Sequence, residues 1–232
     1  MIKGAKERIQ EIIRRLRKAY PQSRTALHFE TPLQILVATI LAAQCTDEKV
    51  NQVTPLLFKK YPTAEALAKA DPAEVEAIIK PTGFFRNKAR AIIAAARKIV
   101  SDFGGLVPDN MAGLVALPGV ARKTANIVLS SAYRKAEGIA VDTHVRRLSG
   151  RLGLSRHQDP EKIEQDLMAL VPKSDWLDFN YMLVDHGRKV CQAKKPLCSE
   201  CFLQDLCPSS KLFLKAEAEK RRVRQKATPK KG

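Results

Sequence analysis

The sequence predicts an all-α fold, and three observations carry that prediction. Apolar residues recur at helical spacing along most of the chain. No segment alternates polar and apolar residues over four or more positions, as a half-buried strand does. Several apolar segments begin with a capping residue followed by proline, a typical start of a helix. We therefore expect roughly ten helices packed through their apolar faces.

The helices can be placed in order along the chain. Residues 9–16 carry isoleucine and leucine at i, i+3, i+4 and i+7, and Pro21 ends this first helix. Thr31 and Pro32 form the cap and first position of a second helix, which runs to about residue 43. Two later helices are predicted to begin at Asp71-Pro72 and at Asp159-Pro160, where the same cap and proline recur. Apolar residues at helical spacing predict two more helices, over residues 89–103 and 174–190.

The 232-residue chain is strongly basic, which indicates a polyanionic partner. It has 41 Lys and Arg against 24 Asp and Glu, a formal net charge of +17. Residues 211–232 carry a net charge of +7 and residues 1–18 a net charge of +5. Nucleic acid is the first candidate partner, although terminal basic runs are also commonly solvated faces. We expect Ser209 or Ser210 to begin a last helix that extends to about Arg224.

Membrane association is not expected. The longest apolar run, near residues 35–43, is far shorter than the roughly 18 residues that a membrane span needs. The charged N-terminal residues do not form the apolar core of a secretion signal. We therefore expect an intracellular protein without a membrane partner.

Four cysteines close to the C-terminus predict a metal centre. They are Cys191, Cys198, Cys201 and Cys207, with the spacing C-x6-C-x2-C-x5-C. Zinc and an iron–sulfur cluster both accept four cysteine ligands. One close pair in a single compact loop favours a 4Fe-4S cluster, because a zinc ribbon usually has two separated knuckles. Lys194 and Lys195 in the same loop are suited to contact phosphates.

Residues 117–125, LPGVARKTA, predict a tight turn between two helices. Gly119 permits the positive φ that such a turn requires. Backbone N–H groups of Gly119, Val120, Ala121 and Arg122 would then meet an anion such as a DNA phosphate at the start of the following helix. An ordinary turn between two helices is the alternative.

Lys123 follows this turn, and Asp142 lies 19 residues further along, within the segment VDTH. Asp142 is expected to cap the helix that carries Val145 and Leu148, and capping alone would account for it.

The LPGVARKTA turn, the VDTH segment and the cysteine loop occur in an order and spacing that resembles the endonuclease III family of helix-hairpin-helix DNA glycosylases. The resemblance covers about residues 5–210. It implies a two-domain fold, with a six-helix barrel domain at residues 27–136 and a 4Fe-4S cluster domain formed by residues 1–26 and 137–210. Residues 211–232 remain as a basic C-terminal tail.

The resemblance also implies an activity. Members of this family are bifunctional DNA glycosylases and abasic-site lyases, which remove oxidised pyrimidines from duplex DNA after flipping out the nucleotide. Lys123 is implied as the nucleophile that forms a Schiff base at C1′, and β-elimination then cuts the strand 3′ to the lesion. Asp142 is implied to stabilise positive charge on the sugar. The implied partner is double-stranded DNA with a damaged pyrimidine or abasic site, bound by a monomeric, nucleoid-associated, cytoplasmic protein.

Two further positions match the family's DNA contacts. Gln44, in the segment AQCTD, is implied to enter the gap left by the flipped base. In the segment GFFRNKA, Phe84 is assigned as the apolar wedge, although the sequence does not separate it firmly from Phe85, which is the candidate for the core. Ala121 departs from the family pattern, which usually has glycine at that position.

Two other functions are considered. A monofunctional, adenine-specific mismatch glycosylase shares the cysteine spacing and the aspartate, but it lacks a lysine at the position of Lys123 and carries an additional C-terminal domain. A non-catalytic DNA-binding module with a zinc or iron–sulfur site would explain the turn, the basic tail and the cysteines. It would not explain Lys123 together with Asp142.

Overall fold

The computed structural model of the protein describes residues 4–227 and confirms the all-α prediction. Within this range there are twelve α-helices, four short 3-10 turns and no strand. In chain order the helices are α1 (Ala5–Ala19), α2 (Pro32–Leu41), α3 (Asp47–Lys60), α4 (Ala64–Ala68), α5 (Pro72–Ile79), α6 (Phe85–Phe103), α7 (Met111–Val115), α8 (Arg122–Ala132), α9 (Thr143–Arg151), α10 (Pro160–Leu170), α11 (Trp176–Lys189) and α12 (Ser210–Ala227). None of the helices in the described range is long and apolar enough to cross a membrane.

The chain folds as two compact units. One unit consists of Arg24–Ala140, and the other combines Met1–Ser23 with Val141–Gly232.

The unit Arg24–Ala140 contains α2 to α8 around one apolar core. Helix α6 packs against α4 and α5, and α2 packs against α3 and α8. The side chains of Ile92 and Ile99 on α6 are almost completely buried, as the apolar stripe predicts. Helix α2 begins where Thr31 accepts a hydrogen bond from Gln34 N–H, and α6 ends at Gly104 with the left-handed φ of +60°.

The second unit is built around α1, α9, α10 and α11. Helix α1 packs against α10 and α11 through the apolar face predicted at residues 9–16, and α9 packs against α10 and α11. Phe179 on α11 is completely buried. Asp159 caps α10 as predicted, because its carboxylate accepts a hydrogen bond from Lys162 N–H at 3.0 Å.

Helix α12 spans Ser210–Ala227, which confirms the helix predicted to begin at Ser209 or Ser210 within the basic C-terminal segment. The Phe213 ring is half-buried, and the Arg151 guanidinium lies 4.6 Å from its centre. The first turn of α12 is therefore part of the cysteine-bearing unit rather than a detached tail. Residues 228–232 of the predicted tail lie outside the described range.

Candidate active site and cysteine centre

The predicted turn joins α7 to α8. Leu117 and Val120 anchor it because both side chains are buried, whereas Gly119 is exposed between them. Gly119 has a φ of +77°, and a Cβ atom at this position would lie 2.8 Å from the Ala91 Cβ on α6. The turn therefore requires glycine for two reasons, its left-handed backbone and its close approach to α6.

The start of α8 has the character of an anion site. Its N-cap is Ala121, which has no side-chain oxygen to accept hydrogen bonds from the first N–H groups of the helix. These donors and the positive end of the helix dipole favour a bound phosphate. Ala121 adopts φ −92° and ψ 169°, an extended conformation that alanine accepts without strain. The departure from glycine at this position therefore leaves the turn intact.

Val120 differs from the sequence expectation. Its N–H donates to the carbonyl oxygen of Leu117 at 3.2 Å, inside the turn. Since this amide already has an acceptor and the side chain is buried, Val120 holds the shape of the turn rather than offering an amide to a ligand.

Lys123 lies in the first turn of α8 and is exposed. The next residues on the inner face of the helix, Ala125 and Val128, are fully buried and fix α8 against the core. A rigid helix therefore carries the Lys123 amine at the surface, next to the N-terminal amides of the same helix. This arrangement suits an amine that must meet a substrate bound through its phosphates.

Asp142 is the N-cap of α9, as predicted. Its Oδ1 accepts hydrogen bonds from the N–H groups of His144 and Val145, both at 2.8 Å. Its Oδ2 lies 3.3 Å from His144 Nδ1, and the side chain keeps about a quarter of its surface exposed. The cap therefore fixes the orientation of the carboxylate while leaving part of it accessible.

The two loops that carry Gln44 and Phe84 share an unusual backbone. Gln44 lies between α2 and α3 with φ +52°, and Phe84 precedes α6 with φ +48°. Non-glycine residues rarely adopt this left-handed conformation, which often marks a functional site. Gln44 is exposed, and the Phe84 side chain is 65% exposed. Phe85 is half-buried against the core, so the structure separates the two neighbouring phenylalanines.

The four predicted cysteine ligands line one small cavity. Thiols that surround a cavity fit a multi-atom cluster better than one zinc ion, which draws its four ligands to a common point. The donor set and its spacing therefore fit an iron–sulfur cluster.

One positively charged side chain, that of Arg151, lies beside these thiols. Arg151 donates hydrogen bonds to the carbonyl oxygens of Gln192 and Ala193, both at 2.8 Å, and its Nη1 lies 3.3 Å from Cys191 Sγ. Burial raises the pKa of the Cys201 thiol to about 11 and also raises the pKa of Cys207, so protonated thiols are favoured until a metal binds them. Arg151 offers charge compensation for the thiolates that a cluster requires.

His186 is a neutral neighbour of the same centre. Its Nδ1 lies 3.1 Å from the Tyr20 hydroxyl and its Nε2 lies 3.5 Å from Cys201 Sγ. Burial lowers the pKa of His186 to about 4, so the ring is uncharged at neutral pH. Lys194 and Lys195 are exposed in the same loop, where they are available to a polyanion.

Two protein-family models match this chain. Residues 37–173 match the family model of the HhH-GPD superfamily of base excision DNA repair proteins. Residues 191–207, the cysteine loop, match the iron–sulfur binding domain of endonuclease III.

Individual relatives identify the family within this superfamily. Endonuclease III of Synechocystis sp. is 57% identical over 205 residues, which cover 88% of this chain and 94% of the relative. Two solved structures, a trapped endonuclease III–DNA covalent intermediate and a non-covalent endonuclease III–DNA complex, each match with a TM-score of 0.85 and 38% identity. Each match covers 90% of this chain and 98% of the solved one. The chain belongs to the endonuclease III family, whose members are DNA glycosylases and abasic-site lyases, and its cofactor is a 4Fe-4S cluster.

The sequence interpretation did not single out two residues that the structure places near these sites, Arg151 and Lys88. Arg151 has no distinguishing signal in the sequence, because nothing there shows that the cysteine loop folds back onto the end of α9. Lys88 is 5% exposed and lies on the same side of α6 as Ile92 and Ile99. A charged residue in line with the apolar stripe was the signal that could have identified it.

Proposed function

We propose that this protein is a bifunctional glycosylase and abasic-site lyase that acts as a monomer on oxidised pyrimidines in double-stranded DNA. The observation that carries the proposal is an exposed lysine, Lys123, on a helix whose inner face is buried and whose N-terminus is suited to a phosphate. The related structure of a trapped endonuclease III–DNA covalent intermediate supports a covalent route for this chain.

The first step exposes the damaged nucleotide. Phe84, with its ring largely in solvent, enters the base stack as an apolar wedge, and the Gln44 amide pairs with the base left without a partner. Unstacking costs a few kcal/mol, and it costs less for a damaged base. Left-handed backbones at both residues project these side chains from short, well-defined loops.

The second step replaces the base by the lysine. As the N-glycosidic bond breaks, its electron pair leaves with the base, which takes up a proton, and positive charge develops on the sugar. The oriented carboxylate of Asp142 stabilises this charge. The amine of Lys123 forms a bond from Nζ to C1′ and loses one proton. The C1′–O4′ bond then breaks with its electron pair on O4′, which takes up a proton, and the ring-opened sugar remains bonded to Nζ as a protonated Schiff base, an iminium.

The third step cuts the strand. Loss of a proton from C2′ provides the electron pair for a new C2′–C3′ double bond, and the C3′–O bond breaks with the phosphate as leaving group. Water then releases the unsaturated aldehyde from Lys123. The Schiff base makes this elimination possible because the iminium carbon accepts electron density from C2′.

Backbone contacts hold the duplex during these steps. The α8 amides bind a phosphate at the turn of Gly119, Ala121 and Arg122, and Lys194 and Lys195 bind phosphates from the cysteine loop. Cys191, Cys198, Cys201 and Cys207 would hold the 4Fe-4S cluster, which would fix the loop that carries these two lysines. Because four cysteines would ligate it, we assign the cluster a structural role. Such contacts read no sequence, which suits an enzyme that searches undamaged DNA.

A duplex with a single thymine glycol tests the proposal. We expect the protein to nick the damaged strand 3′ to the lesion, and borohydride to trap a protein–DNA adduct by reducing the Schiff base to an amine. Lys123→Gln should abolish both the nick and the adduct. Lys135→Gln, which removes a surface lysine paired with Asp109, is the matched control and should retain both.

Three results would contradict the proposal. An adduct with the Lys123→Gln variant would assign the nucleophile to another residue. Base release without any nick or adduct from the unaltered protein would indicate a monofunctional glycosylase. Tight binding to the duplex without base release would indicate a DNA-binding module.

A further inference from the structure

Lys88 is a buried lysine in the first turns of α6. Its side chain is 5% exposed, although an ammonium group is normally kept in water because its desolvation is costly. Burial lowers the pKa of Lys88, in agreement with this environment. The buried ammonium group of Lys88 therefore requires hydrogen-bond acceptors from the protein in place of water.

Two carbonyl oxygens from different segments accept those hydrogen bonds. Lys88 Nζ donates to the carbonyl oxygen of Leu41 at 2.8 Å and to that of Thr82 at 2.7 Å. Leu41 is the last residue of α2, and Thr82 is the last residue of the 3-10 turn after α5. Carbonyl groups at helix ends lack helical partners and carry partial negative charge, so they are suitable acceptors for a buried cation.

Each acceptor lies just before one of the two loops assigned to DNA contacts. Gln44 follows Leu41 by three residues, and Phe84 follows Thr82 by two. Both loops contain a non-glycine residue with positive φ, a conformation that persists only where the surrounding structure holds it. Lys88 therefore joins the bases of two strained loops through a single nitrogen atom.

We propose that Lys88 is a positioning residue for lesion recognition, which fixes the loops of Gln44 and Phe84 relative to each other so that both side chains enter the same gap in the duplex. This inference rests on the proposed function, because it assigns Lys88 a role only through those two DNA contacts. Lys88 itself does not touch DNA. Its removal leaves both side chains present but allows the two loops to move independently.

The test compares binding to two duplexes, one with a tetrahydrofuran abasic analogue and one undamaged. Lys88→Met keeps the aliphatic chain and removes the donors. We expect it to lower the preference for the abasic analogue about tenfold and to leave affinity for the undamaged duplex unchanged, since coupled neighbours commonly show effects of this size. Lys98→Met is the matched control on the same helix, because Lys98 is at the surface in an ion pair with Asp102.

A double-mutant cycle separates positioning from general destabilisation. In the background Gln44→Ala with Phe84→Ala, Lys88→Met should reduce the preference less than about twofold further, because the side chains that it positions are already absent. A merely structural role would produce the same loss in both backgrounds. If Lys88→Met does not fold, Lys88→Gln, which retains an amide donor, is taken through the same cycle.

The outcomes distinguish failure of the positioning role of Lys88 from failure of the proposed function. Unchanged preference in the folded Lys88 variant, or an equal loss in both backgrounds, overturns the positioning role while leaving the proposed function in place. If the unaltered protein itself shows no preference for the abasic analogue, both the proposed function and the role of Lys88 fail.

Discussion

At the residue scale, one carboxylate, that of Asp142, has an observed structural role and a proposed chemical one. Two N–H groups of α9 donate hydrogen bonds to Oδ1, so removal of the carboxylate would disturb the helix as well as the proposed chemistry. Any variant used to test its chemistry must therefore preserve the cap. Asparagine does so, because Asn and Asp are about equally effective at the N-cap.

Asp142→Asn should lower the rate of base release by a factor on the order of 10² to 10⁴, because it removes the charge that stabilises the transition state. Its free energy of unfolding should change by less than about 1 kcal/mol. Single-turnover kinetics and thermal denaturation measure the two effects. Asp159→Asn, at the N-cap of α10 in the same unit, is the control and should retain the full rate. A normal rate for Asp142→Asn would restrict Asp142 to capping.

The neighbouring residues Phe84 and Phe85 should behave oppositely. Phe84→Ala removes an exposed ring, so stability should change by about 0.5 kcal/mol or less, while affinity for the abasic-analogue duplex falls. Phe85→Ala removes a half-buried ring that packs on the core, and we expect a loss of stability of roughly 1–3 kcal/mol. Urea denaturation and fluorescence anisotropy distinguish these results. Equal effects on binding would contradict the assignment of the wedge.

Some of this residue-level detail could be predicted from the sequence and some could not. Proline, glycine and capping residues act locally, so the turn at Gly119 and the cap at Asp142 follow from short segments. The exposure of Phe84 depends on the left-handed backbone before α6, and the burial of Lys88 depends on two segments distant in sequence. The roles of the assigned site residues remain predictions that the experiments above test.

At the scale of single elements, the α7–α8 turn depends on one glycine. Gly119→Ala should destabilise the protein by about 1–3 kcal/mol, because the new Cβ adds left-handed strain and a contact with Ala91. The affinity of this variant for duplex DNA should also fall, because the N-terminal amides of α8 would shift. Ala121→Gly is the control: its backbone is unstrained, so both quantities should remain close to those of the unaltered protein. Thermal denaturation and duplex titration provide the comparison, and an undisturbed Gly119→Ala variant would contradict the geometry of the turn.

The C-terminal helix α12 should divide into two parts with different roles. Residues 220–232 contain seven basic residues and no acidic ones. Their deletion should make the salt dependence of duplex binding shallower, by about 0.9 in the slope of log K against log salt for each phosphate that the shortened protein no longer neutralises. Deletion from residue 211 onward should also weaken cluster retention, measured by visible absorbance, because Phe213 lines the cysteine cavity. An unchanged slope after the shorter deletion would show that this segment does not bind DNA.

Helix boundaries show how far local signals extend. The caps at Thr31 and Asp159 follow from the sequence, since threonine or aspartate before proline is a strong local signal. Helix α3 contains Pro55, although proline normally disfavours a helix interior. The helix forms nonetheless because buried residues such as Val50 and Leu57 pack against the core. Tertiary packing of this kind cannot be recognised from local propensity.

At the scale of the whole molecule, the basic residues behind the net charge of +17 fall into groups with different roles. We propose that the exposed lysines of the cysteine loop and the basic C-terminal segment attract a polyanion without reading sequence. Lys123 and Lys88 stand apart from this general charge, the first because its amine is assigned to chemistry and the second because it is buried. The two arginines beside the cysteine loop, Arg147 and Arg151, instead hydrogen-bond its carbonyl groups.

The most direct test of the central claim is the identity of the residue that becomes bonded to DNA. A duplex with one abasic site is incubated with the protein and borohydride, the adduct is digested, and the modified peptide is sequenced by mass spectrometry. We predict a reduced C1′–Nζ linkage at Lys123 alone. A linkage at another lysine or at the N-terminal amine, or nicking without any adduct, would contradict the account.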